Sequence, residues 1–206
     1  TPKTPHLHCR HSHTCRSFGM GALVQTCSSA PKLCTTYLLV SLFYILFCMR
    51  VLAFDPGYDR LGVAVIEKHA GKEVLIHSEC VTTSRESEMN VRLHAIGKRI
   101  EELLSEYTPD CVALEKLFFN KNQKTGIAVA EVRGIILFLG MKASCTVMEF
   151  GPQQVKIAVT GYGNSDKTSV TAMVKRLVKD VKNDALDDEY DAIAVGITAL
   201  AHARFH

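Results

Sequence analysis

Four acidic residues stand where solvated charge is least expected. Asp55 closes the apolar run Val51, Leu52, Ala53, Phe54, and Glu115 closes the run Cys111, Val112, Ala113, Leu114. Asp188 and Asp191 open the last predicted helix three residues apart, so they share a face. A carboxylate buried beside apolar neighbours is costly unless it is paired or binds a cation. Several such groups brought together repel one another unless divalent metal neutralises them. An oxygen-only donor set suits Mg²⁺ or Mn²⁺ better than zinc. Two such ions, roughly 4 Å apart, clamp the attacking and leaving oxygens of an in-line phosphodiester displacement.

Each carboxylate also has a plainer use. Asp55, followed by Pro56 and Gly57, can make an Asx turn. Glu115 can pair with Lys116 or Lys121, and Asp187 and Asp188 suit the positive end of a helix dipole. All four together, at two strand ends and one helix start, weigh toward metal chemistry.

The surrounding pattern supplies elements to position them. RVLAFD at 50–55 reads as a short buried strand, with GYDR as turn chemistry after it. LGVAVIEK and KEVLIHSECVT make a second and third strand across the turn HAGK. Met89, Leu93, Ile96, Ile100, Leu103 and Tyr107 recur at three- and four-residue steps, which predicts an amphipathic helix that Ser84 or Ser87 would cap. PDCVALEK is a fourth strand, QKTGIAVAEVRGIILFLGMK a mostly apolar helix and SCTVMEFG a fifth strand. GPQQVKIAVTG predicts a short helix, YGNSDKTS a loop and KTSVTAMVKRLVKD another helix. A polar linker, VKNDALDDE, precedes the last helix, YDAIAVGITALAHARF. Three antiparallel strands followed by alternating helix and strand imply one mixed α/β domain.

Composition divides the chain at Met49. Of 24 Lys and Arg, four (Lys3, Arg10, Arg16, Lys32) precede it without any acidic residue, leaving 20 basic against 21 acidic residues from there on. The net charge of +3 therefore says little about the main domain. Five of the eight cysteines and four of the nine histidines also precede Met49, but HLHCRHSHTC lacks the ligand spacing of a zinc finger. The apolar run at 37–49 is short for a membrane span, which needs roughly 20 residues. Residues 1–48 are expected to be an extension outside the working domain, either upstream sequence from an early start or a short anchor. Cys80, Cys111 and Cys145 sit singly in apolar runs and are expected to be reduced.

At this point the residues resemble a known family, the RuvC-type Holliday junction resolvases of bacteria, within the RNase H-like superfamily. FDPGYDRLGVAVIE, DCVALEKLFFNKN and DDEYDAIAVGIT are similar to its opening, middle and closing acidic motifs, and VRG and PQQVKIAVTGYGNSDKTSV to the segments between them. The likeness runs from Met49 to about His202, so the family's pattern starts the domain at 49. It implies a five-stranded RNase H-like sheet, three strands antiparallel and then two parallel, flanked by helices. It also implies Asp55, Glu115, Asp188 and Asp191 as catalytic metal ligands, with two Mg²⁺ per site and Mn²⁺ as a substitute.

The resemblance further implies an endonuclease cutting four-way DNA junctions as a homodimer in recombination and repair. The expected setting is the bacterial cytoplasm near the nucleoid, with a branch-migration helicase complex as partner and no membrane. Lys156 and Lys167 match basic residues near the scissile strand, and Phe118 an aromatic that stacks on an unpaired base. Arg133 belongs either to a dimer surface or near DNA. Two departures stand out: Ala64 replaces a usual Tyr, and Ala199 a usual His, with His202 one turn on.

Two other readings share features with this one. Actin-like or sugar-kinase-type ATPases also open with an Asp-bearing strand and a glycine hairpin, but residues 49–206 are too few for their duplicated domains. GYGNSDKT is not a phosphate loop of the GxxxxGK[ST] kind, since Asp166 precedes Lys167. An RNase H-like nuclease acting on RNA would share the same metal site.

Overall fold

The computed structural model describes residues 49–69, 71–117, 123–179, 181 and 185–203. The expected extension at 1–48 and the aromatic Phe118 lie outside the described residues. Five strands form one sheet: β1 (Arg50–Asp55), β2 (Arg60–His69), β3 (Lys72–Thr82), β4 (Cys111–Glu115) and β5 (Thr146–Phe150). Their order is β3-β2-β1-β4-β5, with β1–β2 and β2–β3 antiparallel and β1–β4 and β4–β5 parallel. Five helices accompany them: α1 (Met89–Tyr107), α2 (Gln123–Lys142), α3 (Pro152–Thr160), α4 (Lys167–Leu177) and α5 (Asp187–His202). The patterning predicts a mixed α/β domain, and the strand directions are those the family resemblance implies.

Strand residues alternate between two cores, as the two-residue period demands. Val51, Ala53, Ala64, Ile66, Cys111 and Ala113 face α3, α4 and α5. Leu52, Phe54, Val63, Val65, Val112 and Leu114 face α1 and α2. Continuing the alternation by one step puts Asp55 and Glu115 on the α5 side.

α5 is apolar around most of its circumference because it lies across the sheet under a cover of α3 and α4. Residues Ala192 to Leu200 are all buried. Small residues let it come close: a β-carbon on Gly196 would sit 2.7 Å from Cγ2 of Ile66. Its start agrees with the reading of Asp187 and Asp188 as helix-start residues and lies three residues before Tyr190, where the apolar pattern begins. The helix begins at Asp187, and Leu186 N–H donates to Glu189 Oε1 at 3.1 Å, so DDE belongs to the first turn. The acidic side chains gain there from the helix dipole, which a pattern of apolar spacing does not register.

α1 starts later than the serine caps suggested. Glu88 is its N-cap in extended conformation without a side-chain cap, while Ser84 Oγ accepts from Glu86 N–H in the preceding turn. Cys80, Cys111 and Cys145 are free thiols, as expected. No helix among the described residues is long and apolar enough to cross a membrane.

Candidate active site

Asp55 and Glu115 end adjacent parallel strands, since Phe54 pairs with Leu114 in the β1–β4 register. Both carboxylates lie toward the N-terminal end of α5, which carries Asp188 and Asp191. Gly62 lies opposite Asp55 on β2 and makes this meeting possible. A β-carbon on Gly62 would stand 2.0 Å from the backbone oxygen of Asp188, so only a residue without a side chain lets α5 approach here. Glu189 anchors the same turn from its other side, accepting from Ser78 Oγ at 2.7 Å.

The electrostatics are those of crowded acids. Burial first, and then the charges of Asp191, Glu115 and Asp188, push the Asp55 pKa up to about 7. Burial, followed by Asp191, also raises Glu115, with Lys156 and Arg133 opposing. Asp191 is raised by burial even though Lys167 Nζ sits 3.0 Å from its Oδ2. Burial works against the Lys167 ammonium, but Asp191 and Asp187 together hold its pKa above the ordinary value. Asp188 Oδ2 lies 3.1 Å from Arg60 Nε and 3.9 Å from the Cys80 thiol. Burial and then Asp188 push that thiol to about 11, so it stays protonated at neutral pH.

A cleft of about 220 Å³ opens at this point, lined by Glu115, Lys156, Lys167 and Asp191 among others. Two basic side chains thus share one concavity with two of the acids. Lys167 begins α4, whose N-cap Asp166 accepts from Ser169 N–H at 2.7 Å. Lys156 lies on α3, which starts with Pro152 after a Gly151 whose N–H donates to Gln154 Oε1 at 2.8 Å. Capped starts hold both short helices in place.

Arg133 is committed inside the protein. Its guanidinium donates to the backbone oxygen of Glu115 and to the Glu149 carboxylate, and its side chain is only 12% exposed. It braces the end of β4 that presents Glu115. His202 packs its ring against Phe150, centroids 5.0 Å apart, roughly three turns along α5 from Asp191.

Sequence patterning did not place Arg60, Gly62 or Cys80 beside the acids. All three lie on β2 or β3, and only the hairpin register tells which of their residues face Asp55.

The donor set fits a hard divalent cation, being carboxylate oxygen throughout with a charge excess that raises Asp55. Among the described residues, however, no three His, Cys, Asp or Glu side chains already stand gathered as a bound ion would hold them. Protein cations hold two of the four acids instead: Arg60 pairs with Asp188, and Lys167 with Asp191.

The fold and the site together define an RNase H-like protein with an acidic cluster at the strand ends. The family model described as crossover junction endodeoxyribonuclease RuvC matches residues 51–199. A RuvC from Thermosipho melanesiensis is 43% identical over 157 residues, covering 76% of this chain and all of that protein. One from Syntrophomonas wolfei is 41% identical over 156 residues, covering 76% of this chain and 91% of the relative. The structure of T. thermophilus RuvC in complex with Holliday junction substrate superposes with a TM-score of 0.71 at 32% identity, over 76% of this chain and 95% of that one. The yeast mitochondrial Holliday junction resolvase Ydc2, at 11% identity and TM-score 0.57 over 76% of this chain and 82% of that one, shares the fold. The chain belongs to the RuvC family.

Proposed function

We propose that this protein is a Mg²⁺-dependent, structure-selective endonuclease that resolves four-way DNA junctions in recombination and repair. The observation that carries the proposal is the convergence of Asp55, Glu115 and Asp191 beside Lys156 and Lys167 at one end of the sheet. Membership of the RuvC family supports the substrate class, as does the junction-bound T. thermophilus relative.

Asp55, Glu115, Asp188 and Asp191 would hold the metal, two ions to a site, with Mn²⁺ able to replace Mg²⁺. When bound, the ions supply a polarised water and neutralise charge on the phosphate oxygens. The chain's own groups do the rest. Lys156 and Lys167 place positive charge along the cleft, where a backbone phosphate would lie. Pairing with Asp191 keeps Lys167 at the cleft. Arg133 fixes the strand end that aims Glu115. Phe118, three residues past Glu115, would stack on a base opened at the crossover.

Cutting two strands symmetrically calls for two copies related by a two-fold axis. The face of α2 carrying Ile127, Phe138 and Met141 supports such a homodimer, since these side chains are 59%, 68% and 65% exposed on one helical stripe. A branch-migration helicase complex is the further partner that the family likeness suggests.

The test incubates the full chain with a labelled four-way junction and a matched linear duplex, with Mg²⁺ or with chelator. Paired nicks in the junction alone, only with Mg²⁺ and absent from Asp191→Asn, support the proposal. Equal cutting of the duplex, or cutting in chelator, would overturn it.

A further inference from the structure

Asp188, on α5, is held by a side chain from β2. Arg60 is the first residue of β2, two positions before Gly62, and so projects to the α5 side of the sheet. Its Nε reaches Asp188 Oδ2 at 3.1 Å; the arginine side chain is 53% exposed and the aspartate 17%. The carboxylate is therefore tucked in, while its counter-cation is half exposed to water. The neighbouring acid on α5 shows the same arrangement, Lys167 to Asp191. With these acids turned to basic side chains, no three acidic ligands stand gathered among the described residues.

We infer that Arg60 competes with the divalent cation for Asp188, holding the carboxylate until the cation takes it and the guanidinium swings out. The inference rests on the metal reading above and adds a control on loading. Two physical effects act in the same direction. The ion pair with Asp188 must break before that oxygen can ligate, and an unmoved guanidinium repels an incoming cation. Because Arg60 is half exposed, its release into water costs little. The competition thus shifts the cation concentration at which the site fills without blocking it. Exposed pairs of this kind contribute a two- to five-fold effect, about the range measured for surface ion pairs.

The experiment titrates the full chain with Mn²⁺ in the absence of DNA, reading free Mn²⁺ by electron paramagnetic resonance. Wild type, Arg60→Gln, Asp191→Asn and Lys142→Gln are compared, with thermal unfolding of each. Lys142 pairs with Glu101 on the α1–α2 side, so its loss removes one positive charge far from the cleft. The expected result is an apparent Kd about two- to five-fold lower for Arg60→Gln than for wild type, with Lys142→Gln unchanged. Arg60→Gln binding no tighter than Lys142→Gln, or weaker than wild type, overturns the inference while leaving the metal site standing. Absence of any Mn²⁺ uptake that Asp191→Asn removes overturns the metal reading and this inference together.

Discussion

Asp55 and Gly62 face each other across the β1–β2 ladder, and the missing side chain of one sets the surroundings of the other. The backbone of Asp188 occupies the space a β-carbon at Gly62 would need. Gly62→Ala should therefore push the first turn of α5 away from Asp55, destabilising the protein by about 1–3 kcal/mol, the range for an overpacked core. Cleavage should fall more than stability alone explains, because Asp188 and Asp191 move together. Thermal unfolding alongside junction cleavage checks this. Wild-type values in both would mean that α5 does not approach β2 so closely.

The raised pKa of Asp55 gives a pH signature without metal. Its carboxyl titrates near 7 in the folded protein against 3.8 ordinarily. A group whose folded pKa is higher favours the fold when protonated. That contribution is complete below about pH 4 and is lost as pH rises through about 7. The loss is on the order of 2–4 kcal/mol, one pKa unit being about 1.4 kcal/mol. In chelator, wild type should lose stability between pH 5 and pH 8, and Asp55→Asn should lose less. At pH 8 the variant should match or exceed wild type, yet cut no junction in Mg²⁺ while still binding one. Unfolding at both pH values, with a cleavage assay, decides it.

Arg133→Met separates bracing from DNA contact. The change removes donors from the Glu115 carbonyl and the Glu149 carboxylate, and should cost about 1–3 kcal/mol. Cleavage should drop while the salt dependence of junction binding stays the same. A direct phosphate contact would instead lower the salt slope by about one. Binding isotherms across a salt series read the difference.

Phe118→Ala should weaken the opened state of the junction by about 1–3 kcal/mol of lost stacking. A fluorescent base analogue placed at the crossover should brighten on wild-type binding and much less with the variant. Unfolding of the variant near room temperature would make Phe118 a packing residue instead.

Much of the frame is visible in the residue pattern because it follows from alternation. Val51, Ala53 and Asp55 share a face, as do Cys111, Ala113 and Glu115, and a carboxylate ending each series stands out. What the pattern hides depends on register and on through-space partners. Arg60 and Gly62 matter because a four-residue connection, 56–59, sets β2 against β1 so that Asp55 meets Gly62. Arg133 reads as a helix-surface cation until its neighbours across β4 and β5 are known. The start of α5 is legible from its acids, Asp187 and Asp188 suiting the helix dipole, whereas apolar spacing alone begins at Tyr190 and does not show Glu189 bonding back to Leu186.

The segments that build the acidic cluster are spread along the chain: β1 near the start of the described domain, β4 in its middle and α5 at its end. A ribosome delivers them in that order. A growing chain that has exposed β1 to β5 still lacks Asp188 and Asp191, and its sheet lacks the helix that covers one face. On the proposed reading, such a half-made chain lacks two of the four metal ligands. The order of synthesis would then keep the proposed site incomplete until the last helix has docked.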